Sequence, residues 1–238
     1  MVVENIGETL LLFISLSATF AAVMGIIVLG GFFHNKLKEL FSDANYFVFF
    51  FLVAGYILYA LGEVSFYLTK IVFGSTGVVG IQDAYWSAGA VLILLSFLAL
   101  TLMVYRQNHG SRKALPHLLI GGLIIVLVLM VVFGSGARKE EYFFGTFYPL
   151  VSSLIVATAF STILFSRQLG GFGRVLVLFF FASSGILLGD VFFYFATAQA
   201  TYGTAALVAD VCYLFGYLLS GIAFLTMRLR MHSLAFRR

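Results

Sequence analysis

Long apolar runs separated by short polar breaks dominate this sequence. Seven runs reach the roughly 20 apolar residues that a helix needs to cross a bilayer. They lie at about 9–33, 44–69, 80–105, 115–134, 142–166, 174–198 and 203–228. None of the breaks is long enough for a soluble domain. The pattern therefore predicts an all-α integral membrane protein, with one seven-helix domain over residues 1–238.

The composition excludes an ordinary water-soluble protein. Hydrophobic residues make up 62% of the chain and charged residues 10%, with a mean hydropathy of +1.07, whereas soluble domains average about 25% charged residues. Glu4 and Glu8 precede the first apolar run and no Lys or Arg does, so we expect no cleaved signal peptide. Cys212 is the single cysteine, which excludes an internal disulfide.

The basic residues predict the orientation in the membrane, because cytoplasmic segments of membrane proteins are enriched in Lys and Arg. With the N-terminus outside, the outer side carries only Lys70, Arg138 and Lys139. The cytoplasmic side then carries Lys36, Lys38, Arg106, Arg112, Lys113, Arg167, Arg174, Arg228, Arg230, Arg237 and Arg238. This bias predicts a multi-pass protein of the cell membrane with a cytoplasmic C-terminus. The net charge of +4 therefore indicates topology and contact with anionic lipid heads, and no nucleic-acid partner is expected.

An internal repeat relates the two ends of the chain. Residues 61–98 align without a gap with residues 188–225, an offset of 127, and ten aligned positions are identical. The most informative pairs are Gly62-Glu63-Val64 with Gly189-Asp190-Val191, Phe66-Tyr67 with Phe193-Tyr194, Asp83 with Asp210, Trp86 with Tyr213 and Gly89 with Gly216. We predict a 3+1+3 parallel internal repeat: repeat 1 at about 9–106, a linker helix at about 115–134 and repeat 2 at about 142–230. Both triplets then cross the membrane in the same sense.

Acidic residues inside the predicted spans are the strongest candidates for function, since a charge there costs at least ~2.5–3.5 kcal/mol. All of them fall in the predicted outer half, with aromatic residues at helical spacing on the same faces. The candidate ligand-binding residues are Glu63, Tyr67, Asp83, Trp86, Asp190, Tyr194, Asp210 and Tyr213. They predict an acidic, aromatic cup open to the outside, which binds a cation, an amine or a proton with help from cation–π attraction.

A structural interpretation of the same residues stays open. The carboxylates could cap helix ends or accept hydrogen bonds from tyrosine hydroxyls, and the aromatic residues could form interfacial belts. Lys70 is a candidate charge partner of Glu63. Gly185 with Gly189, and Gly216 with Ser220, have the spacing of close helix packing. They predict packing within the bundle, with a dimer seam as the alternative, so homo-oligomerisation is also open.

Nothing in the sequence indicates catalysis. The four histidines, His34, His109, His117 and His232, all fall in cytoplasmic breaks or the tail. No zinc-protease, nucleophile-elbow or P-loop motif is present. We therefore expect no enzyme activity, no catalytic residue, no metal site and no cofactor.

The second repeat resembles the seven-helix sensory regions of prokaryotic signalling proteins. The residues that carry this resemblance are Gly189-Asp190-Val191-Phe192-Phe193-Tyr194, Thr201-Tyr202-Gly203-Thr204, Asp210 and Tyr213-Leu214-Phe215-Gly216-Tyr217. The resemblance implies a sensor. Since the chain carries no output domain after its last helix, we expect a membrane or cytoplasmic partner protein to relay the signal.

The last helix is also similar to that of microbial rhodopsins. Asp210-Val211, Leu214 and Gly216-Tyr217 match the retinal-attachment segment of that family. Leu214 stands where the retinal lysine would be, and no other lysine lies deep in a span, so a Schiff base is not expected.

Three functions follow from these observations. The leading hypothesis is a non-enzymatic receptor or sensor-like protein that binds a small cationic or amphipathic ligand in the cup and relays to a partner. The first alternative is a small transporter or ion or proton pathway on the same repeat, and the second is an accessory subunit of a membrane complex. Bilayer-length helices and the absence of a eukaryotic targeting signal favour a prokaryotic source.

Overall fold

The computed structural model describes residues 2–33, 44–74, 80–107, 120–125, 127–128, 131, 142–165, 173–197 and 203–235, and the regular structure in this part of the chain is helical. The long helices are α1 (Val2–Phe33), α2 (Ala44–Tyr67), α3 (Ile81–Gln107), α5 (Tyr142–Phe165), α6 (Gly173–Thr197) and α7 (Thr204–Ala235). A short helical stretch at 120–125 and 127–128 is labelled α4.

The six long helices confirm that the chain is a multi-pass membrane protein, because each is long and apolar enough to cross a membrane. Their bounds agree with six of the predicted spans within a few residues, except that α1 and α7 extend further toward the termini. Most of the predicted linker helix at 115–134 lies outside the described residues, as do most of the basic residues of the polar breaks.

The six long helices form a closed ring in the order α1, α2, α3, α5, α6, α7 and back to α1. Hydroxyl side chains join neighbours through backbone carbonyls or through each other. Ser96 on α3 donates to the carbonyl of Val48 on α2 at 2.8 Å, and Thr101 on α3 shares a 2.8 Å hydrogen bond with Thr162 on α5. Such bonds suit a bundle in lipid, where water cannot satisfy polar groups.

Glycines allow the closest helix contacts, at corresponding places in two helix pairs. A Cβ on Gly89 of α3 would lie 2.8 Å from the carbonyl oxygen of Gly55 on α2. A Cβ on Gly216 of α7 would lie 3.0 Å from the carbonyl oxygen of Ala182 on α6. The packing use predicted for Gly216 is therefore confirmed, since only a residue without a side chain fits this close to the neighbouring backbone.

The centre of the bundle is filled by aromatic side chains that we call the aromatic plug: Tyr56, Phe97, Phe179 and Phe224. All four are almost completely buried, and the ring centroids of Phe179 and Phe224 lie 5.0 Å apart in an edge-to-face arrangement. The Tyr56 hydroxyl accepts a hydrogen bond from Ser220 at 2.7 Å. Large apolar side chains such as Phe215 point outward and are half exposed, as expected of a surface that contacts lipid.

The end of α2 departs from regular α-helix. After Tyr67 the chain forms a π-helical turn at Leu68–Val72, and the N–H of Phe73 donates to the carbonyl of Leu68 at 3.0 Å. Gly74 follows with a φ of 60°, a left-handed conformation that favours glycine and commonly ends helices. π-helical turns occur frequently at functional sites, and this one begins one turn beyond Glu63.

Candidate functional site

A cavity of about 60 Å³ lies inside the ring, at the end of the bundle where α3, α5 and α7 begin. Residues from α1, α2, α3, α5, α6 and α7 line it: Leu11, Ile14, Tyr59, Glu63, Phe66, Trp86, Tyr148, Ile186, Asp190, Phe193, Asp210, Tyr213 and Tyr217. Aromatic side chains therefore make up most of its wall, and three carboxyl groups supply its charge. No Lys, Arg or His is among these lining residues.

Glu63 is only partly satisfied by its surroundings. Its side chain is 6% exposed, and its Oε1 accepts a 2.7 Å hydrogen bond from the Tyr217 hydroxyl of α7. Within the described residues, its Oε2 accepts no hydrogen bond that meets standard geometry. The Trp86 indole N–H lies beside this carboxyl, yet it is buried and makes no hydrogen bond of standard geometry there. The Glu63 carboxyl, which lines the cavity, therefore has one hydrogen bond of standard geometry, from Tyr217, and the Trp86 N–H as a close neighbour.

Asp190, at the position equivalent to Glu63 in the alignment, is satisfied at both oxygens. The Tyr213 hydroxyl donates to Oδ1 at 2.8 Å, and the Ser152 hydroxyl of α5 donates to Oδ2 at 2.5 Å. The side chain is 9% exposed. Two neutral donors can hold a buried carboxyl in place without a basic partner, which fits the structural interpretation offered by the sequence.

Asp210 is the third carboxyl of the cavity. It is buried in the second turn of α7 and lines the same space. It acts electrostatically on Glu63, as Asp190 does. Carboxyl groups gathered in a space of low dielectric repel each other when ionised, and a cation placed among them relieves that repulsion.

Lys70 is not the cation that lies among these carboxyl groups. Its ammonium lies over the Phe66 ring, 5.2 Å from the centroid, and Lys70 itself is exposed. The predicted pairing of Lys70 with Glu63 is thus replaced by a cation–π contact, while the Glu63 carboxyl accepts from Tyr217.

Asp83 lies at the start of α3 and is not among the residues that line the cavity. Its Oδ2 accepts from the Gly80 N–H at 2.8 Å, its own N–H donates to the Gly80 carbonyl at 3.1 Å, and the Tyr148 hydroxyl donates to its Oδ1 at 3.2 Å. An acidic residue that reaches back from the third helical position to the cap residue forms a capping box. Asp83 therefore stabilises the N-terminus of α3 and its contact with α5.

Replacing Asp83 with alanine should lower the unfolding free energy by about 0.5–2 kcal/mol, the usual cost of losing an N-terminal cap. Asp83→Asn keeps an acceptor and should lose less. Thermal unfolding of the three proteins in detergent micelles measures the difference. An alanine variant as stable as the wild type would show that the cap contributes nothing.

The structure brings five of the eight predicted residues to the cavity: Glu63, Trp86, Asp190, Asp210 and Tyr213. The other three are Tyr67, Asp83 and Tyr194, and they do not line it. Tyr67 packs against the apolar core. Tyr194 is 3% exposed and covers Gly145 of α5, where a Cβ would meet its ring at 2.5 Å.

Tyr59 and Tyr148 line the cavity without having been predicted. Tyr59 precedes Glu63 by one helical turn on α2, so the helical spacing that linked Glu63 to Tyr67 could have identified it. Tyr148 lies on α5, in a part of the chain without an acidic residue or an aligned partner, and the sequence carried no signal for it.

The cavity brings carboxyl groups, tyrosine hydroxyls and aromatic faces together in one space. In the described residues, no group of three or more His, Cys, Asp or Glu side chains is placed to hold a metal ion. Buried carboxylates and aromatic faces favour a small cation. Comparison with protein-family models, with curated protein sequences and with solved structures finds no match to this chain.

Proposed function

We propose that this chain is a seven-helix membrane receptor that binds a small cationic or amphipathic ligand in the cavity and relays binding to a partner protein. The observation that carries the proposal is the cavity itself. Three buried carboxyl groups and a wall of aromatic side chains face one space with no basic residue among the lining. Polar groups buried at such cost in a membrane bundle usually serve a ligand or an ion.

The proposal takes the chain as a 3+1+3 repeat, with the linker helix as the seventh span. The ring order is compatible with this, because α1, α2 and α3 form one half of the ring and α5, α6 and α7 form the other. Packing supports it. A Cβ on Gly62 would meet the Trp86 ring at 2.4 Å, and one on Gly189 would meet the Tyr213 ring at 2.7 Å.

The aromatic plug beside the cavity favours a protein that binds its ligand without transporting it across the membrane. The aromatic plug occupies the centre of the bundle next to Tyr59 and Tyr217, whose ring centroids lie 5.9 Å apart. The plug residues are buried, and Phe224 contacts both Tyr56 and Phe179. A packed aromatic layer at this place opposes the passage of an ion toward the other end of the bundle, which a transporter would need.

The signal would pass through the contacts between α2, in the first repeat, and α7, in the second. Tyr217 of α7 donates to Glu63 of α2, and Ser220, one turn further along α7, donates to Tyr56 of α2. A ligand that draws Glu63 away from Tyr217 would loosen the side-chain contacts that α2 and α7 make across the inside of the ring. With the N-terminus outside, as the basic residues predict, the cavity faces outward and the shift reaches the basic cytoplasmic ends.

Flux through proteoliposomes tests this function against the transporter alternative. We expect vesicles with the wild type to pass protons, monovalent metal cations and methylammonium no faster than empty vesicles. Glu63→Gln and Asp190→Asn, reconstituted at matched density, are the control variants. Wild-type flux that either variant abolishes would make the chain a transporter or channel and refute the receptor proposal.

A further inference from the structure

The two aligned acidic residues, Glu63 and Asp190, are used differently. Asp190 accepts hydrogen bonds at both carboxyl oxygens, from Tyr213 and Ser152. Glu63 accepts at Oε1 alone, from Tyr217, although its side chain is buried to a similar extent. Glu63 lines the cavity, so a ligand there can donate to Oε2 without displacing a hydrogen bond of standard geometry such as those that Asp190 accepts.

The side chains around the Glu63 carboxyl indicate which kind of ligand would fit beside it. Trp86 and Phe66 are ring neighbours, with centroids 5.4 Å apart, and both line the cavity. Aromatic faces beside a carboxylate attract an organic cation. A calcium ion takes six to eight oxygen ligands, and among the described residues no three His, Cys, Asp or Glu side chains are placed to hold a metal ion.

The volume limits the size of the cation. A water molecule needs roughly 10–15 Å³ of such a cavity, so about 60 Å³ accommodates roughly four to six heavy atoms. Primary alkylammonium ions of three to five carbons have this size, and their N–H groups can donate to a carboxylate. Quaternary ammonium ions have no N–H group and cannot donate a hydrogen bond to Glu63.

We propose that the cavity recognises a small primary alkylammonium ion, with Glu63 as its counter-ion and Asp190 as a structural acid that holds the opposite wall. This inference rests on the proposed function, since it names the ligand class of the same cavity. The ammonium group donates to Glu63 Oε2, and the alkyl chain lies against Trp86 and Phe66.

Trp86 is the only tryptophan in the chain, so fluorescence excited at a wavelength that tyrosine does not absorb reports on this cavity. Propylammonium titrated into the wild type in lipid nanodiscs should change the Trp86 emission saturably. Equal concentrations of 1-propanol, tetraethylammonium and sodium ions should not. We expect Glu63→Gln to weaken propylammonium binding by about 10- to 100-fold, the usual effect of a charge-assisted hydrogen bond, and Asp190→Asn to change it by less than about threefold.

Tyr217→Phe is a second variant, which distinguishes a loss of the binding group from a loss of the fold. Removing the Tyr217 hydroxyl frees Glu63 Oε1 from its intramolecular donor. Glu63 can then interact with the ammonium group through both oxygens, and propylammonium should bind about three- to tenfold more tightly. A gain of affinity cannot come from a damaged fold, so this variant tests the role of Glu63 even if Glu63→Gln is unstable.

Three results would overturn the inference: no saturable response of the wild type to propylammonium, an equal response to sodium or to 1-propanol, or a larger loss in Asp190→Asn than in Glu63→Gln. These results are separate from those that test the receptor function. Propylammonium that binds at Glu63 and also crosses the membrane would leave the ligand class intact and refute the receptor. Absence of both binding and flux would refute the ligand class alone.

Discussion

Replacing Phe224 with alanine should lower the unfolding free energy by about 2–3 kcal/mol. In water-soluble cores this truncation costs about 3–5 kcal/mol, but part of that is transfer of the side chain from water. In a membrane protein the unfolded helices stay in lipid, so mainly the loss of packing remains. Phe224 is 0% exposed and contacts Tyr56 and Phe179 within the aromatic plug, so no neighbour can easily fill the space.

Phe215→Ala is the matched control, because Phe215 lies on the same helix and is 51% exposed toward the lipid. Lipid chains replace its ring, and we expect a change of no more than about 0.5 kcal/mol. Unfolding in mixed micelles with increasing denaturing detergent measures both variants. Equal stabilities would mean that the plug is not a packed core, and the argument against a pathway through it would fail.

The spans were predictable because membrane insertion depends on the length and the mean hydropathy of a segment of about 20 residues, and both are read directly from the sequence. All six long helices are long and apolar enough to cross a membrane, in agreement with that prediction. Which face of each helix points inward was harder to predict. In a soluble protein the apolar stripe identifies the buried face, but here the lipid side is as apolar as the core. Phe224 and Phe215 cannot be distinguished by residue type, although one is buried and the other half exposed.

Acidic residues inside the spans were the exception, because they could be assigned to the inner face of a helix from the sequence. Glu63, Asp190 and Asp210 were identified because charge in a span is costly, and all three line the cavity. Their partners were not predictable, since hydrogen bonds between distant helices depend on the ring arrangement. Glu63 accepts from Tyr217, which lies 154 residues further along the chain, and no local pattern encodes that contact.

Two local features differ in how far the sequence indicated them. The structural interpretation of the acidic residues included capping of helix ends, and Asp83 does cap the start of α3 together with Gly80. The π-helical turn after Tyr67 follows from backbone packing at the end of α2, and its sequence, LTKIV, contains neither glycine nor proline to indicate it.

Gly89→Ala and Gly216→Ala should each lower the unfolding free energy by about 1–3 kcal/mol, the usual cost of overpacking a tight contact. At Gly89 the new Cβ would lie 2.8 Å from the Gly55 carbonyl oxygen, and at Gly216 it would lie 3.0 Å from the Ala182 carbonyl oxygen and 2.8 Å from Ile186 Cγ1. Backbone atoms cannot move aside as a flexible side chain can, so the helices must separate.

Gly30→Ala is the control for the glycine substitutions. Gly30 lies within α1, and a Cβ there would meet nothing within 4 Å, so alanine should leave stability unchanged or raise it by about 0.5–1 kcal/mol through better helix propensity. Thermal unfolding of the three variants in one detergent gives the comparison. Similar losses at Gly89 and Gly216 are expected if the pairs α2–α3 and α6–α7 descend from one packing unit. A loss at one position alone would mean that the two halves do not share that packing, and the 3+1+3 arrangement would then rest on the sequence alignment.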